Sequence, residues 1–278
     1  EAGRLGRGAR VTTPLFDSHC HLQDAAFGGE LDGVIERARA AGVVGVLNCA
    51  DNAESVAGVL ETAARYEGVW AATGFHPHEA DTVTARQLAE LESVAALESV
   101  VAIGEIGLDF YRNHSTPANQ GRVLERQLEI AVRTGLPVSV HSRAAEDEIF
   151  ELLEPYARAT RLRPAGVMHC FGGSVEQANR YVGLGFLISV ACTVTYPKNA
   201  RGRQLARELP LDALLVETDA PYLPPQGQRG QRNEPANVAA AVASIAEARE
   251  VQFETVAEAT TANALRLLRL PIPAGAAR

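Results

Sequence analysis

Basic charge is scarce in this chain of 278 residues, and this scarcity excludes one broad class of nucleic-acid binder. Lys and Arg number 26 against 34 Asp and Glu, which gives a formal net charge of −8. Proteins that hold long duplex DNA usually present a basic face, because contacts with phosphates supply much of their affinity. A phosphate substrate held by metal ions stays possible, since those ions supply positive charge locally. Lysine is nearly absent, and Lys198 is the only one.

Long apolar runs and paired cysteines are missing as well. No apolar run approaches the roughly 20 residues that cross a bilayer, and no signal-peptide pattern opens the chain. The four cysteines lie far apart without a CxxC pair, which favours reduced thiols over disulfides. We therefore expect a cytoplasmic protein with no membrane partner and no obligate protein partner. Cys20 and Cys170 are adjacent to histidines in the sequence. Strand alternation predicts that their thiols point away from the face that carries those histidines, so that both are buried packing residues.

Strand-like and helix-like segments alternate along the chain. Apolar runs start near Leu15, Val43, Val69, Val100, Pro137, Ala165, Phe186 and Ala213. Helical patterns cover Leu31 to Ala41, Ala53 to Tyr66, Thr84 to Leu97, Gln120 to Thr134, Glu146 to Thr160, Ser174 to Leu184, Ala200 to Glu208, Ala236 to Arg249 and Phe253 to Leu268. This order predicts parallel strands joined by right-handed crossovers. We expect an α/β fold with a (β/α)8 TIM barrel as one domain over residues 14–271, between tails at 1–13 and 272–278. A doubly wound open sheet is the alternative.

Polar side chains that bind metals stand at the ends of these apolar runs. They are His19 and His21 on the first run, Glu105 on the fourth, His141 on the fifth, His169 on the sixth and Asp219 on the eighth. His19 and His21 share a face, because strand side chains alternate. An isolated pair of this kind is often two surface histidines. Ligands from strands 1, 4, 5, 6 and 8 converge only in a closed barrel, so the set as a whole favours the barrel with a metal-dependent hydrolase site.

Two divalent metal ions fit this set of ligands. His19, His21 and Asp219 can form one site and His141 with His169 a second. The two oxygens of Glu105 can then bridge the ions. A pair of ions about 3.5–4 Å apart lowers the pKa of a shared water. Asp219 can accept that proton and pass one to the leaving group. Zn, Mn, Fe, Co or a largely hydrated Mg all suit such ligands.

Several longer segments form a recognisable set: Phe16 to His21, Gly74 to His78, Gly104 to Arg112, His141 to Arg143, His169 to Gly173, Glu217 to Leu223 and Arg232 to Pro235. In these segments the chain resembles a known family, the TatD-type metal-dependent deoxyribonucleases of the amidohydrolase-like barrels. The resemblance implies the same six metal ligands, with Asp219 also in proton transfer. It further implies phosphodiester hydrolysis of DNA, typically from the 3′ end.

The lysine count narrows the choice among such barrels. Many amidohydrolase barrels bridge their metals through a carboxylated lysine on strand 4. Here that strand carries Glu105, and Lys198 follows strand 7. A carbamate bridge at strand 4 is therefore impossible, which disfavours dihydroorotase-like or phosphotriesterase-like enzymes.

Two further residues are candidate substrate contacts. His76 ends the third run and resembles the substrate-side histidine of the family, although a structural role is the alternative. Arg143 can pair with a phosphate or, equally well, with Asp147 or Glu148. His78 follows a proline on a loop, and we expect it to be exposed.

Other polar and aromatic residues near these segments have supporting roles or none. Tyr111 and Tyr222 can stack on bases, with loop packing as the alternative. Asp17 and Glu217 precede candidate ligands by two residues and point inward, where they need polar partners. Glu234 is expected to anchor the segment after strand 8 through hydrogen bonds.

Three classes of function remain after these arguments. The first is a divalent-metal phosphodiesterase whose partner is a DNA end or single-stranded DNA. The second is hydrolysis of a small-molecule amide, lactone or phosphoester on the same metal pair, because barrels host many chemistries. The third is an accessory role without catalysis, which an intact set of ligands disfavours.

Overall fold

The computed structural model describes residues 13–271, and these residues carry eight parallel strands. The strands are β1 (Leu15–Cys20), β2 (Val43–Cys49), β3 (Val69–Thr73), β4 (Val100–Asp109), β5 (Val138–Arg143), β6 (Gly166–Met168), β7 (Phe186–Ala191) and β8 (Leu214–Glu217). The predicted C-terminal tail at residues 272–278 lies outside the described residues, as does the predicted N-terminal tail at residues 1–13 except for residue 13.

The sheet closes into a barrel. Strands pair in the order β1 to β8, each parallel to the next. A parallel bridge between Cys20 and Ala220 joins the two ends of this order. Two backbone hydrogen bonds support it, from Asp219 to the His19 carbonyl at 2.9 Å and from His21 to the Ala220 carbonyl at 2.7 Å. The predicted (β/α)8 barrel is confirmed, and the alternative of an open doubly wound sheet is wrong.

Helices follow the strands, with capping signals that are readable in the sequence. They are α1 (Leu31–Ala40), α2 (Ala53–Arg65), α3 (Ala85–Val94), α4 (Pro117–Thr134), α5 (Glu146–Ala159), α6 (Val175–Gly183), α7 (Ala200–Glu208), α8 (Val238–Arg249) and α9 (Phe253–Leu268). Ser174 and Gln177 form a reciprocal capping box at the start of α6. Gly135 ends α4 with a left-handed φ of 68°, which glycine adopts without a steric penalty.

Several element boundaries differ from the sequence prediction, and two of them bear on the site. Helix α4 begins at Pro117, three residues before the predicted start at Gln120, with Thr116 accepting the hydrogen bond of its N-cap. Proline is favoured in the first turn because its missing N–H has no partner there. Strand β4 continues to Asp109, so Glu105 lies inside the strand and not at its end.

Buried apolar side chains fill the space between strands and helices. The main cluster includes Ile103 and Ile106 of β4 together with Ile149 and Leu153 of α5. A second cluster joins Phe16 of β1, Leu47 of β2 and Leu215 of β8 to Leu267 and Leu268 of α9. Within residues 13–271, no helix combines the length and hydropathy required to cross a membrane.

Gly107 allows β4 to pass close to β5. Its φ is 149°, and a methyl group in place of its hydrogen would overlap the carbonyl oxygen of His141. Both features exclude a side chain at this position. The close approach fixes the height of His141 relative to β4, and therefore the position of its imidazole at the end of the barrel.

Replacing Gly107 with alanine is expected to force β4 and β5 apart. The overlap and the positive φ together predict a loss of about 2–4 kcal/mol in the free energy of unfolding. Urea denaturation measures this loss. Gly121→Ala is the matched control, because nothing lies within 4 Å of the added methyl group in α4. Gly121→Ala should raise the free energy of unfolding by about 0.5–1 kcal/mol. Equal stability of the two variants would contradict the argument.

Candidate metal centre

The barrel brings all six predicted ligands to one place, with the Glu105 carboxylate at the centre. Glu105 Oε2 lies 3.3 Å from His19 Nε2 and 3.5 Å from His21 Nε2. Its other oxygen, Oε1, lies 3.0 Å from His141 Nδ1 and 2.9 Å from His169 Nε2. Each oxygen therefore faces a different pair of imidazoles. This is the arrangement that a carboxylate bridging two ions requires.

The four imidazoles each direct one nitrogen to Glu105 and the other to a second polar group. The second contacts are His21 Nδ1 to the Cys49 carbonyl at 2.9 Å, His19 Nδ1 to Ser139 Oγ at 3.3 Å, His141 Nε2 to Asp109 Oδ2 at 3.4 Å and His169 Nδ1 to Glu217 Oε1 at 3.5 Å. Metal-binding histidines usually have such outer partners, which fix the tautomer and the ring orientation. The lone pairs that remain converge on the centre, where a cation is the fitting occupant.

Asp219 reaches the same centre from beyond the end of β8. Its φ of 57° turns the backbone at this point, a conformation that aspartate tolerates better than most residues. Oδ1 lies 3.6 Å from His21 Nε2 and 3.9 Å from His19 Nε2. Burial raises the pKa of Asp219, but the hydrogen bond with His21 and nearby imidazoles bring it below its ordinary value. The carboxylate is therefore ionised at neutral pH and can accept a proton or ligate a cation.

The carboxylates of the centre favour the protonated form of two of its imidazoles. Burial raises the pKa of Glu105, but the surrounding imidazoles, His169 first, bring it well below its usual range. Burial lowers the pKa of His21, yet Asp219 and Glu105 raise it to about 9. The pKa of His169 is also raised well above its usual value, chiefly by Glu105 and Glu217 against the effect of burial. These protons occupy the positions that a metal ion would take.

His76 differs from the other histidines near Glu105. Its Nδ1 accepts a hydrogen bond from the backbone N–H of His78 at 3.2 Å, so the neutral ring carries its proton on Nε2. That Nε2 lies 3.4 Å from Glu105 Oε1. Burial is the main cause that lowers the pKa of His76 well below its usual value. His76 thus presents a neutral N–H donor to the centre, although it also lies close enough to Glu105 and His141 to join a metal cluster.

Asp17 and Glu217 lie beneath the centre, as predicted. Asp17 is fully buried and accepts hydrogen bonds from the backbone and hydroxyl of Thr218, at 2.8 and 2.6 Å. Burial raises its pKa to about 8 despite these bonds. Glu217 is also fully buried, and among the described residues neither of its carboxylate oxygens accepts a hydrogen bond. The His169 ring lies beside it, with Nδ1 at 3.5 Å from Glu217 Oε1.

Two sequence predictions are wrong in this region. His78 is not a surface residue; it is half-buried and hydrogen-bonded through Nε2 to Asp109 Oδ2 at 2.9 Å, because Pro77 begins a short helical turn that folds it inward. Cys170 is not turned away; it lines the cleft above the centre. Strand alternation does not apply to it, because β6 ends at Met168 and Cys170 has a φ of 44°. Burial raises the pKa of its thiol, which disfavours thiolate ligation.

Arg143 makes neither of its predicted intramolecular salt bridges. Asp147 pairs instead with Arg180 at 2.6 Å. The Arg143 guanidinium is exposed and lies over the ring of Tyr111, 4.1 Å from its centroid. The Arg143 head is therefore held in the cleft by the tyrosine and remains available to an anion.

The segment after β8 is held by polar contacts on two sides. Tyr222 donates a hydrogen bond from its hydroxyl to Asp24 at 2.9 Å, while about half of its side chain stays exposed. Glu234 accepts hydrogen bonds from Arg37 of α1, with the shortest contact at 2.6 Å. The predicted anchoring role of Glu234 is confirmed.

Sequence reasoning missed Asp109. This buried carboxylate contacts the rings of His78 and His141 and accepts backbone hydrogen bonds from Tyr111 and Arg112, at 2.9 and 2.7 Å. Asp109 therefore contacts both the loop after β4 and the candidate ligand His141, and it fixes their relative position. Alternation from Glu105 through residue 107 to Asp109 places it on the same face, and that signal could have found it.

Comparison with known proteins agrees with this geometry. Residues 16–269 match the family model described as TatD related DNase. The chain belongs to the TatD-related DNase family. A Bacillus subtilis protein named "uncharacterized metal-dependent hydrolase YabD" is 38% identical, covering 92% of this chain and 99% of that protein. A Cronobacter sakazakii protein named "3'-5' ssDNA/RNA exonuclease TatD" is 36% identical, covering 91% and 97%.

A solved structure supports the same membership. YjjV, a TatD homologue of Escherichia coli K12, matches with a TM-score of 0.87 at 36% identity, covering 94% of this chain and all of that chain. The family is one of metal-dependent hydrolases, and this chain is a metal-dependent hydrolase with a His, Glu and Asp cluster that can hold metal.

Metal binding should release protons from this centre. A ligating imidazole must be neutral at the ligating nitrogen, whereas the raised pKa of about 9 keeps His21 protonated below that pH in the metal-free protein. The apparent association constant for Mn²⁺ should therefore rise as pH increases towards 9, by about tenfold per pH unit for each proton released.

Calorimetric titration at pH 7.5 and 9.5, in buffers with different ionisation enthalpies, measures the number of protons released. The number of protons released on metal binding should be measurable at pH 7.5 and smaller at pH 9.5. The His114→Gln variant should behave as the unchanged protein, because His114 is exposed and outside the ligand set. Binding heats that do not depend on the buffer at pH 7.5 would contradict the expectation.

Proposed function

We propose that the protein hydrolyses phosphodiester bonds of DNA and removes nucleotides from the 3′ end of single-stranded or short DNA. The observation that carries the proposal is the Glu105 carboxylate, whose two oxygens face two separate pairs of imidazoles. Nuclease-named relatives at 36% identity add support.

The ligand set suits two divalent ions. His19, His21 and Asp219 would hold one, His141 and His169 the other, and Glu105 would contact both. Zn, Mn, Mg, Fe and Co all accept such nitrogen and oxygen ligands. Bound ions would supply positive charge that lowers the pKa of an attacking water and stabilises the charge developing on the phosphate.

Asp219 and Glu105 are the proposed catalytic residues. About 16% of the Asp219 side chain is exposed, against about 5% for Glu105, so Asp219 is the carboxylate that substrate and water can reach. Its lowered pKa keeps it ionised. It can therefore take the proton of the attacking water and return a proton to the leaving sugar oxygen.

His76 and Arg143 are the proposed substrate contacts. The Nε2–H of His76 is a donor aimed into the centre, suited to a non-bridging phosphate oxygen. Arg143 lies on the rim and can bind the next phosphate of the strand. Tyr222, fixed by its bond to Asp24, offers an exposed ring for a base.

The dimensions of the cleft favour an oligonucleotide over a small-molecule amide, lactone or phosphoester. Its volume is about 1200 Å³, whereas sites for small molecules commonly measure about 300–1,000 Å³. The cleft therefore has room for more than one nucleotide.

Removing the central carboxylate is expected to abolish hydrolysis. Metal-stripped protein, reconstituted with Mg²⁺, Mn²⁺ or Zn²⁺, should shorten a single-stranded DNA oligonucleotide stepwise from its 3′ end. Glu105→Ala should lower kcat by about a thousandfold or more, because it removes the carboxylate that would contact both ions. Gel electrophoresis of end-labelled DNA and elemental analysis of bound metal are the measurements.

Glu98→Ala is the matched control. This glutamate lies on the loop before β4, is exposed, and should leave hydrolysis unchanged. If protein shown to bind two ions cleaves no DNA with any metal, the deoxyribonuclease proposal fails and small-molecule esters and amides become the candidates.

Substitution of His76 separates a substrate contact from a metal ligand. His76→Ala should lower kcat/KM by about a hundredfold through loss of one donor, with the content of bound metal unchanged. His141→Ala should instead lose metal. Elemental analysis and steady-state kinetics on the same preparations give both readouts. Loss of one ion from the His76 variant would assign His76 to the ligand set.

A further inference from the structure

The two sides of the cleft carry opposite charge. In a closed barrel of eight strands, the loops after β1 and β2 stand across from those after β5 and β6, and the loop after β4 faces β8. Asp24, Asp51 and Glu54 line the first side, which we call the acidic wall. Arg112 and Arg143 line the opposite side, which we call the basic wall.

Among the described residues, no Lys or Arg side chain neutralises the acidic wall. Asp51 and Glu54 make no ion pair with any residue from 13 to 271, and no Lys or Arg lines the cleft on that side. Asp24 accepts hydrogen bonds from the Tyr222 hydroxyl and from the backbone N–H of Ala26, which leave its charge in place. Negative charge therefore faces the cleft.

Side chains of the protein already occupy several N–H groups at the start of α2. A helix N-terminus attracts anions through its free N–H groups. Here Asn52 accepts from the Ser55 N–H at 2.8 Å, and Ser55 Oγ accepts from the N–H groups of Asp51 and Asn52, at 3.0 and 3.1 Å. Glu54 adds a charge in the first turn. Three of the backbone N–H groups at this end of the helix are therefore already occupied by side chains of the protein.

The basic wall has the opposite character. Tyr111 holds both cations, with the Arg143 guanidinium 4.1 Å and the Arg112 guanidinium 5.9 Å from its ring centroid. Glu146 is the acidic residue on this side of the lining, so cations outnumber anions there. The basic wall suits the phosphates of a DNA strand.

We propose that the acidic wall receives the terminal nucleotide and selects a free 3′-hydroxyl over a 3′-phosphate or a continuing strand. The inference rests on the proposed deoxyribonuclease function. On one side of the scissile phosphate the strand continues as an anion, which the basic wall binds. On the other side a terminal nucleotide is uncharged beyond that bond. Its hydroxyl can donate to a carboxylate, whereas a further phosphate is repelled. End selectivity thus follows from the charge of Asp51 and Glu54.

Three DNA substrates of the same sequence test the proposal: a linear single strand with a 3′-hydroxyl, the same strand with a 3′-phosphate, and a closed single-stranded circle. The unchanged protein should cleave the 3′-hydroxyl strand with a kcat/KM at least about tenfold above that for the 3′-phosphate strand, and should spare the circle. In the Asp51→Asn/Glu54→Gln variant, the ratio of kcat/KM for the 3′-hydroxyl strand to that for the 3′-phosphate strand should fall towards one. This variant should also cleave the circle measurably. Asp24 is left unchanged, because it also holds Tyr222.

The control is Glu36→Gln/Glu61→Gln, which removes two exposed charges outside the lining of the cleft and should keep the original ratio. Thermal unfolding confirms that each variant is folded. The inference is overturned if the unchanged protein cleaves the circle as fast as the 3′-hydroxyl strand, or if the folded Asp51→Asn/Glu54→Gln variant keeps the full ratio. Either result leaves the hydrolysis of DNA phosphodiester bonds standing, although rapid cleavage of the circle would also remove its restriction to the 3′ end. No cleavage of any substrate by metal-loaded protein overturns both.

Discussion

The contact between the first and last strands is the constraint on which the site depends. Two backbone hydrogen bonds, from Asp219 to His19 and from His21 to Ala220, join residues about 200 positions apart in the chain. Without them β8 would lie at one edge of an open sheet and β1 elsewhere, and Asp219 could not reach the two histidines. Closure also places β4 and β5 across from this junction, so that Glu105 extends into the space between. The ligand cluster is a consequence of topology, built from single residues on separate strands.

Gathering these groups has an electrostatic cost that a cation can offset. Five carboxyl groups, Asp17, Glu105, Asp109, Glu217 and Asp219, lie buried or nearly buried around the imidazoles. Asp17 shows the consequence, since its pKa is raised to about 8 in the folded protein. The folded state therefore binds this proton more tightly than the unfolded chain, and its contribution to stability falls as pH rises from about 4 to 8. Without a bound ion, protons on His21 and His169 offset part of the negative charge of the other carboxylates. Divalent ions can replace those protons, which couples metal affinity, pH and stability in one centre.

Much of the fold and the ligand positions could be predicted from the sequence, because both depend on local patterns. Alternation of apolar runs with helical periodicity specified the barrel. Polar residues at the ends of those runs identified the six candidate ligands, which the structure brings together. The failures have physical causes. Asp109 was missed because β4 runs four residues past Glu105, a length that the apolar pattern does not reveal. Cys170 and His78 were misplaced because a left-handed residue and a helical turn set their directions. The outer contacts of the histidines join distant elements, and no local pattern encodes them.

Net charge is a poor guide to what this cleft can bind. The chain carries −8 overall, which argues against a long duplex, yet a single-stranded end needs favourable charge only where its phosphates lie. The basic wall and the metal centre supply it there. The negative charge on the acidic wall has a selective effect, because it disfavours binding of any strand that continues past the scissile bond. An acidic protein can therefore act on an anionic polymer and gain selectivity for its ends from the same charges that weaken its binding to the interior of the strand.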